Sequence, residues 1–199
     1  MDKYKDASLP IKERVEDLLS KMTLEEKVAQ LCGDLVPTVI VNGEVSKEEL
    51  KKQFPNGHER FTQFSTAGIT DPHYIAKIAN EVQRYFVEET RLGIPVALQS
   101  ENLCGYPGKG GSLYPSQINL GSTWEPELAR EMAEYIGEES RSVGISSAMS
   151  PVIDVARDPR WGRTYETYGE DPYLVSQFGK EYIGGIKKKK VSCIAKHFL

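Results

Sequence analysis

Three stretches of the 199-residue chain concentrate the side chains that could do chemistry. The longest runs from Ser150 to Pro172 and is dense in Asp, Arg, Glu and aromatic residues, with Asp158-Pro159-Arg160-Trp161-Gly162-Arg163 at its centre. Such density has two readings. Ion pairs and stacked rings can hold a long loop in place. Alternatively, a planar guanidinium can reach hydroxyls or carboxylates with two parallel donors, beside rings that cover the face of a sugar. Arg163, after Gly162, is the strongest candidate for that second role. The next stretch is Lys196-His197-Phe198, directly after the apolar run Val191-Ser192-Cys193-Ile194-Ala195. At a surface turn this pair would only be solvated, whereas at the end of a buried strand its ammonium and imidazole stand side by side against vicinal hydroxyls. The third is Gln99-Ser100-Glu101-Asn102-Leu103-Cys104-Gly105. A carboxylate at Glu101 could accept two hydrogen bonds from a diol or, equally, cap a neighbouring helix.

The elements that must position these groups follow from periodicity. Pro10 suits a first helical position, and Ile11, Val15, Leu18, Leu19 and Met22 recur at helical spacing, predicting a helix with one apolar face. Thr23-Leu24-Glu25-Glu26 is a capping box that opens a second helix, ending near Cys32 and Gly33. Val39 to Val45, with Asn42-Gly43 inside, predicts a hairpin with a type I′ turn. The stretch around Pro55-Asn56-Gly57 predicts loop, and little else is readable between 34 and 70.

From residue 75 onward helices and strands alternate. Helical stripes at Ile75 to Phe86, at Leu128, Met132 and Ile136, and at Leu174 to Ile186 are separated by predicted strands. Those strands are Pro95 to Leu98, Gln117 to Gly121, Ser147 to Met149 running on through Pro151 to Val152–Val155, and Val191 to Ala195. Alternation at this spacing argues for parallel βαβ units. Each strand hands over to polar residues at its C-terminal end: Glu101, then Ser122 and Thr123, then Asp154 to Arg163, then Lys196 and His197. In parallel α/β folds those ends share one face, where sites are built. The count of four or five strands is short of an eight-stranded barrel, which takes about 250 residues. The chain therefore reads as a truncated parallel α/β fold, barrel or open sheet, and as a half-barrel its open edge is expected to self-associate or aggregate in isolation.

Composition narrows the function further. With 25 basic against 29 acidic residues the formal charge is −4, so no field holds a polyanion and nucleic acid is not expected as a partner. No apolar run reaches membrane-spanning length, and the N-terminus lacks the apolar segment of a secretory signal, so no membrane association and a cytoplasmic location are expected. Cys32, Cys104 and Cys193 are odd in number and far apart, which argues for reduced thiols rather than disulfides or zinc ligands. His58, His73 and His197 show no metal-ligand spacing, and no metal or other cofactor is expected. The Gly105–Ser112 run fails the phosphate-loop pattern, because Lys109 is followed by Gly110 rather than Ser or Thr. It reads as a flexible loop over the mouth of the fold.

Taken in order and spacing, these motifs resemble the N-terminal barrel domain of glycoside hydrolase family 3, the group of β-glucosidases, β-xylosidases and related exo-acting enzymes. The resemblance runs from Met22-Thr23-Leu24-Glu25-Glu26-Lys27 to Lys196-His197-Phe198 and includes Glu170-Asp171-Pro172. It implies that residues 1–199 form the N-terminal portion of such a barrel, with opening helices over 1–33 and a partial (β/α)8 barrel over 34–199. It also implies retaining hydrolysis of a β-linked oligosaccharide or glycoside. In the family's pattern Glu101 and Arg163 hold sugar hydroxyls far from the cleaved bond, and Lys196 with His197 hold those nearer the anomeric carbon. Asn102 and Cys104 depart from it, because many members carry Ala and His there. The resemblance further implies cis peptides at the Lys196-His197-Phe198 strand end and before Pro151. The family's nucleophile and acid/base belong to later segments, so no catalytic residue is assigned here, and the chain alone is expected to be silent. The competing expectation is a non-catalytic sugar-binding or assembly module.

Overall fold

The computed structural model describes residues 2–64 and 68–197; Phe198, the last member of the Lys-His-Phe motif, lies outside them. The chain opens with helix α1 (Ile11–Lys21) and helix α2 (Leu24–Ala29). Pro10 stands just outside α1 rather than within it. The capping box forms as the sequence requires: Thr23 Oγ1 accepts from the Glu26 amide, and Glu26 accepts from the Thr23 amide. Arg91 then pairs with Glu26 and also donates to the Lys21 carbonyl, tying both helices to the body. On the apolar stripe of α1 Ile11, Val15 and Leu19 are exposed, whereas Leu18 and Met22 are half-buried.

Strand β1 (Gly33–Leu35) follows, then strands β2 (Ile40–Val41) and β3 (Glu44–Val45), which pair as an antiparallel hairpin. Asn42 and Gly43 both have positive φ, 53° and 81°, as a type I′ turn demands. Helix α3 (Lys47–Gln53), capped by Ser46, and strand β4 (Arg60–Thr62) complete the region that periodicity could not parse. Helix α4 (Pro72–Glu89) starts at an Asp71 cap and buries Ile75, Ile78, Val82 and Phe86. Strand β5 (Ala97–Ser100) lies two residues later than alternation suggested and ends directly before Glu101.

Two expectations need correction here. Residues 117–121, read as a strand, form helix α5 (Gln117–Gly121), because the buried residues are Gln117, Leu120 and Gly121, at helical i, i+3 and i+4 spacing. Ser122 and Thr123 therefore close a helix, not a strand. Helix α6 (Pro126–Ser142) leads to strand β6 (Ser147–Ala148), and the expected continuation at Val152–Val155 shrinks to a single bridge between Val152 and Lys196. Pro151, which opens that segment, has no amide to donate to a ladder, and the expected cis bond before it, Ser150–Pro151, is present. Helix α7 (Pro172–Lys188), capped by Asp171, then feeds strand β7 (Ser192–Cys193). The second expected cis bond, Lys196–His197, is also present.

The sheet order is β1-β4-β5-β6-β7, all parallel, with helices at the crossovers. Strands added in one direction, with no reversal of order, are the progression of a barrel rather than of a doubly wound open sheet. Alternation along the strands sorts two layers. Phe61, Leu98 and Ala148 point outward into the helices, whereas Arg60, Thr62, Gln99, Met149 and Ile194 line the concave side. The outer core has two halves, one of β4 and β5 against α4 and one around α6 and α7. Where those last helices cross, Gly185 is required: a Cβ there would sit 2.3 Å from the Arg130 carbonyl oxygen.

Candidate functional site

The strand ends on the concave side deliver four predicted residues to one cavity of about 660 Å³, whose walls include Glu101, Arg163, Lys196 and His197. Glu101 leaves β5 at its C-terminal end and is followed by Asn102, a fully buried residue with φ of 58°. A non-glycine residue in this conformation is held by its surroundings. Here the Asn102 carbonyl accepts from the Tyr182 hydroxyl at 2.6 Å, and the Asn102 side-chain amide donates to Ser140 at 2.9 Å. Tyr182 also lies 2.8 Å from the Ser150 hydroxyl, so α6, α7 and the turn before Pro151 together fix the backbone next to Glu101.

Lys196 is buried and its ammonium donates to Glu101 at 3.1 Å. The neighbouring bridge holds it in place: Ile153 donates to the Lys196 carbonyl at 2.8 Å, and the Lys196 amide donates to the Pro151 carbonyl at 3.1 Å. His197 is anchored twice to Asp154, through its backbone amide at 3.1 Å and through Nδ1 at 2.7 Å. Its Nε2 faces Arg163 at 2.9 Å. A guanidinium can only donate, so Nε2 accepts and Nδ1 carries the proton given to Asp154.

Arg163 precedes a short 3-10 turn, Thr164–Glu166, which swings Glu166 back under it. The pair is bidentate, with both donor–acceptor distances 2.6 Å. The Arg163 guanidinium holds the buried Glu166 carboxyl below its ordinary range, and Glu166 in turn raises Arg163. Arg163 is thus braced by an internal ion pair, as the structural reading of the loop has it, and also lines the cavity.

All four candidate binding residues are therefore brought together. Their braces were the part that sequence reasoning left without a role. Glu166 had a local signal, three residues after Arg163 at the spacing of a turn. Asp154 had none, because its partner is 43 residues away. Four carboxylates near this face are engaged by a cation or imidazole: Glu101 by Lys196, Asp154 by His197, Glu166 by Arg163, and the exposed Asp158 by Arg160; Asp34, which lines the same cavity, accepts from the Leu35 amide. Such an arrangement offers donors to a hydroxylated ligand. Among the described residues no three His, Cys, Asp or Glu side chains group as metal ligands, and no helix is long and apolar enough to cross a membrane. The three cysteines are free, and burial pushes the Cys193 thiol up to about 12.

Residues 23–199 match the family model of the glycosyl hydrolase family 3 N-terminal domain. Beta-glucosidase C of Emericella nidulans is 35% identical over 210 residues, covering 98% of this chain and 34% of its own. A periplasmic beta-glucosidase/beta-xylosidase of Dickeya chrysanthemi is 30% identical, covering 100% of this chain and 33% of its own. Among solved structures, a β-glucosidase from Erythrobacter marinus superposes with a TM-score of 0.88 at 29% identity over 99% of this chain and 27% of that one. The chain thus spans about a third of the length of the curated relatives it matches.

Proposed function

Because the chain belongs to glycoside hydrolase family 3 through that family's N-terminal domain, we propose that it supplies the glycone-binding half of a retaining β-glucosidase or β-xylosidase. Residues 1–199 are the N-terminal portion of the barrel, and the nucleophile and acid/base belong to the remainder. The observation that carries this reading is the convergence of Glu101, Arg163, Lys196 and His197 on one cavity at the C-terminal strand ends. Glu101 accepts from the hydroxyls remote from the cleaved bond, with the Lys196 ammonium keeping its carboxylate oriented. Arg163 donates beside it. Lys196 and His197 serve the hydroxyls nearer the anomeric carbon.

Retaining hydrolysis needs two carboxylates about 5 to 5.5 Å apart, one free to attack and one to carry a proton. Glu101, Glu166, Asp154 and Asp158 are committed to Lys196, Arg163, His197 and Arg160, which supports a role for these four in holding the sugar rather than in bond breaking. The test is hydrolysis of aryl β-glucoside and β-xyloside by the full-length protein that carries this chain, followed by NMR of the first-formed anomer. Release with retained configuration, and no turnover by the 199 residues alone, is expected. Turnover by the 199 residues alone would overturn the division of labour, and sugar binding without hydrolysis in the full-length protein would favour a binding module.

A further inference from the structure

The polar groups on the wall of the sugar cavity are not independent. Glu166, Arg163, His197 and Asp154 form one open chain of hydrogen bonds, with a carboxylate at each end and the two cavity-lining residues in the middle. The ends are the more buried members: the Glu166 and Asp154 side chains are 8% and 25% exposed, against 41% and 42% for Arg163 and His197. The chain therefore presents a guanidinium and an imidazole edge to a ligand and keeps the groups that hold them behind.

Its two anchors work differently. Glu166 takes two N–H groups of Arg163 on two separate oxygens, and His197 takes a third, which leaves the guanidinium with N–H groups to spare for a ligand. Asp154 uses one oxygen, Oδ2, to accept both the His197 backbone amide at 3.1 Å and Nδ1 of the ring at 2.7 Å. The backbone puts it there. Ile153 donates to the Lys196 carbonyl just before it, and Ala156 donates to the Gly169 carbonyl just after, so the carboxylate is pinned beside the strand end.

A neutral imidazole has one donor and one acceptor nitrogen, and the partner of the first decides the second. Against Arg163 alone Nε2 must accept, because a guanidinium only donates. A sugar hydroxyl removes that constraint, since it accepts from Arg163 and is then free either to accept from Nε2 or to donate to it. An imidazolium would set a second cation against the guanidinium. Asp154 still decides the outcome: a carboxylate cannot donate, so it keeps the ring proton on Nδ1 and leaves Nε2 a lone pair.

We infer that Asp154 is a positioning residue that sets the polarity of hydroxyl recognition, so that the sugar hydroxyl seated between Arg163 and His197 must donate to Nε2 while it accepts from the guanidinium. The inference rests on the proposed function, in which Arg163 serves the remote hydroxyls and His197 those nearer the anomeric carbon. The hydroxyl that they share is then the one at C-3.

The experiment uses the full-length protein and two 4-nitrophenyl β-glycosides of whichever of glucose or xylose it hydrolyses, the plain one and its 3-deoxy-3-fluoro analogue. Fluorine cannot donate, and its inductive effect on the reacting centre cancels when the ratio of the two kcat/KM values is compared between variants. Asp154→Ala lets the ring proton move to Nε2 and meet the fluorine, so the ratio of plain to fluoro substrate should fall at least about fivefold. Asp154→Asn, whose amide oxygen can still accept both N–H groups, should stay within about twofold of the unsubstituted ratio. A merely structural role for Asp154 lowers both substrates alike, and an unchanged ratio in Asp154→Ala overturns the inference. An equal fall in Asp154→Asn overturns it too, by showing that charge and not the accepting oxygen matters. Should Asp154→Ala not fold, His197→Phe, which removes Nε2, makes the same comparison: its ratio should fall as far, and an unchanged ratio overturns the inference. Hydrolysis of neither substrate by the unsubstituted protein overturns the proposed function and the inference with it, whereas hydrolysis of the plain one with an unmoved ratio overturns the inference alone.

Discussion

Helices α1 and α7 carry apolar stripes of similar spacing, yet they end in opposite situations. In α7 the stripe Val175, Phe178, Tyr182 and Ile186 is buried against α6 and the sheet, while in α1 Ile11, Val15 and Leu19 face away from the described residues. Amphipathic spacing thus announces a face and not its partner. The helix that finds its partner within the chain also positions the site, because Tyr182 reaches from the buried stripe of α7 to the Asn102 carbonyl beside Glu101.

The contrast can be broken most forcefully at Phe178, which is fully buried and stacks on Tyr168 with ring centroids 4.9 Å apart. Phe178→Ala should cost about 3–5 kcal/mol in denaturant unfolding. A loss below 1 kcal/mol would mean that the α6–α7 core is not packed as described. Next in size is Tyr182→Phe, which keeps the ring and removes only the hydroxyl that satisfies the buried Asn102 carbonyl. A cost of about 1–3 kcal/mol is expected, together with a raised KM in the full-length enzyme that a purely structural role would not produce.

The first half of the barrel offers a pH-dependent counterpart. His58 is buried among Phe54 and Phe61, and desolvation lowers its pKa below the ordinary 6.5. The unfolded chain then binds a proton that the folded chain refuses, so stability is full above the ordinary value and falls as pH drops through that value toward the lowered one. The Glu166 pair acts lower. Its carboxyl is depressed by Arg163, so its contribution is full above the ordinary carboxylate value and is lost as pH falls through the depressed one. His58→Gln should remove the first phase and leave the second in melts between pH 7 and 3. The smallest effect is expected at Ile11, where Ile11→Ser should change the stability of the 199-residue chain by no more than about 0.5 kcal/mol. A much larger loss would show that the stripe of α1 is covered.

What could be read beforehand divides along the same line. Long helices with full stripes, α4, α6 and α7, were legible, as were the Thr23–Glu26 box and the Asn42-Gly43 turn, because their signals are local. The short strands β5, β6 and β7 were legible through their alternation with helices, whereas β1 and β4 are too short and too isolated for any period to show, and the five residues of α5 read as a strand. The four residues that line the cavity were legible through the family's motifs. It was opaque in its braces, where Asp154 meets His197 only after the chain has folded through α7.

The central claim is that the cations and carboxylates at the strand ends hold a sugar, and calorimetric titration of the full-length protein with a glycone-sized iminosugar tests it most directly. Lys196→Met and Arg163→Met should each weaken binding about 10–100-fold, the cost of losing a charged hydrogen bond. Unchanged affinity in both variants would contradict the account.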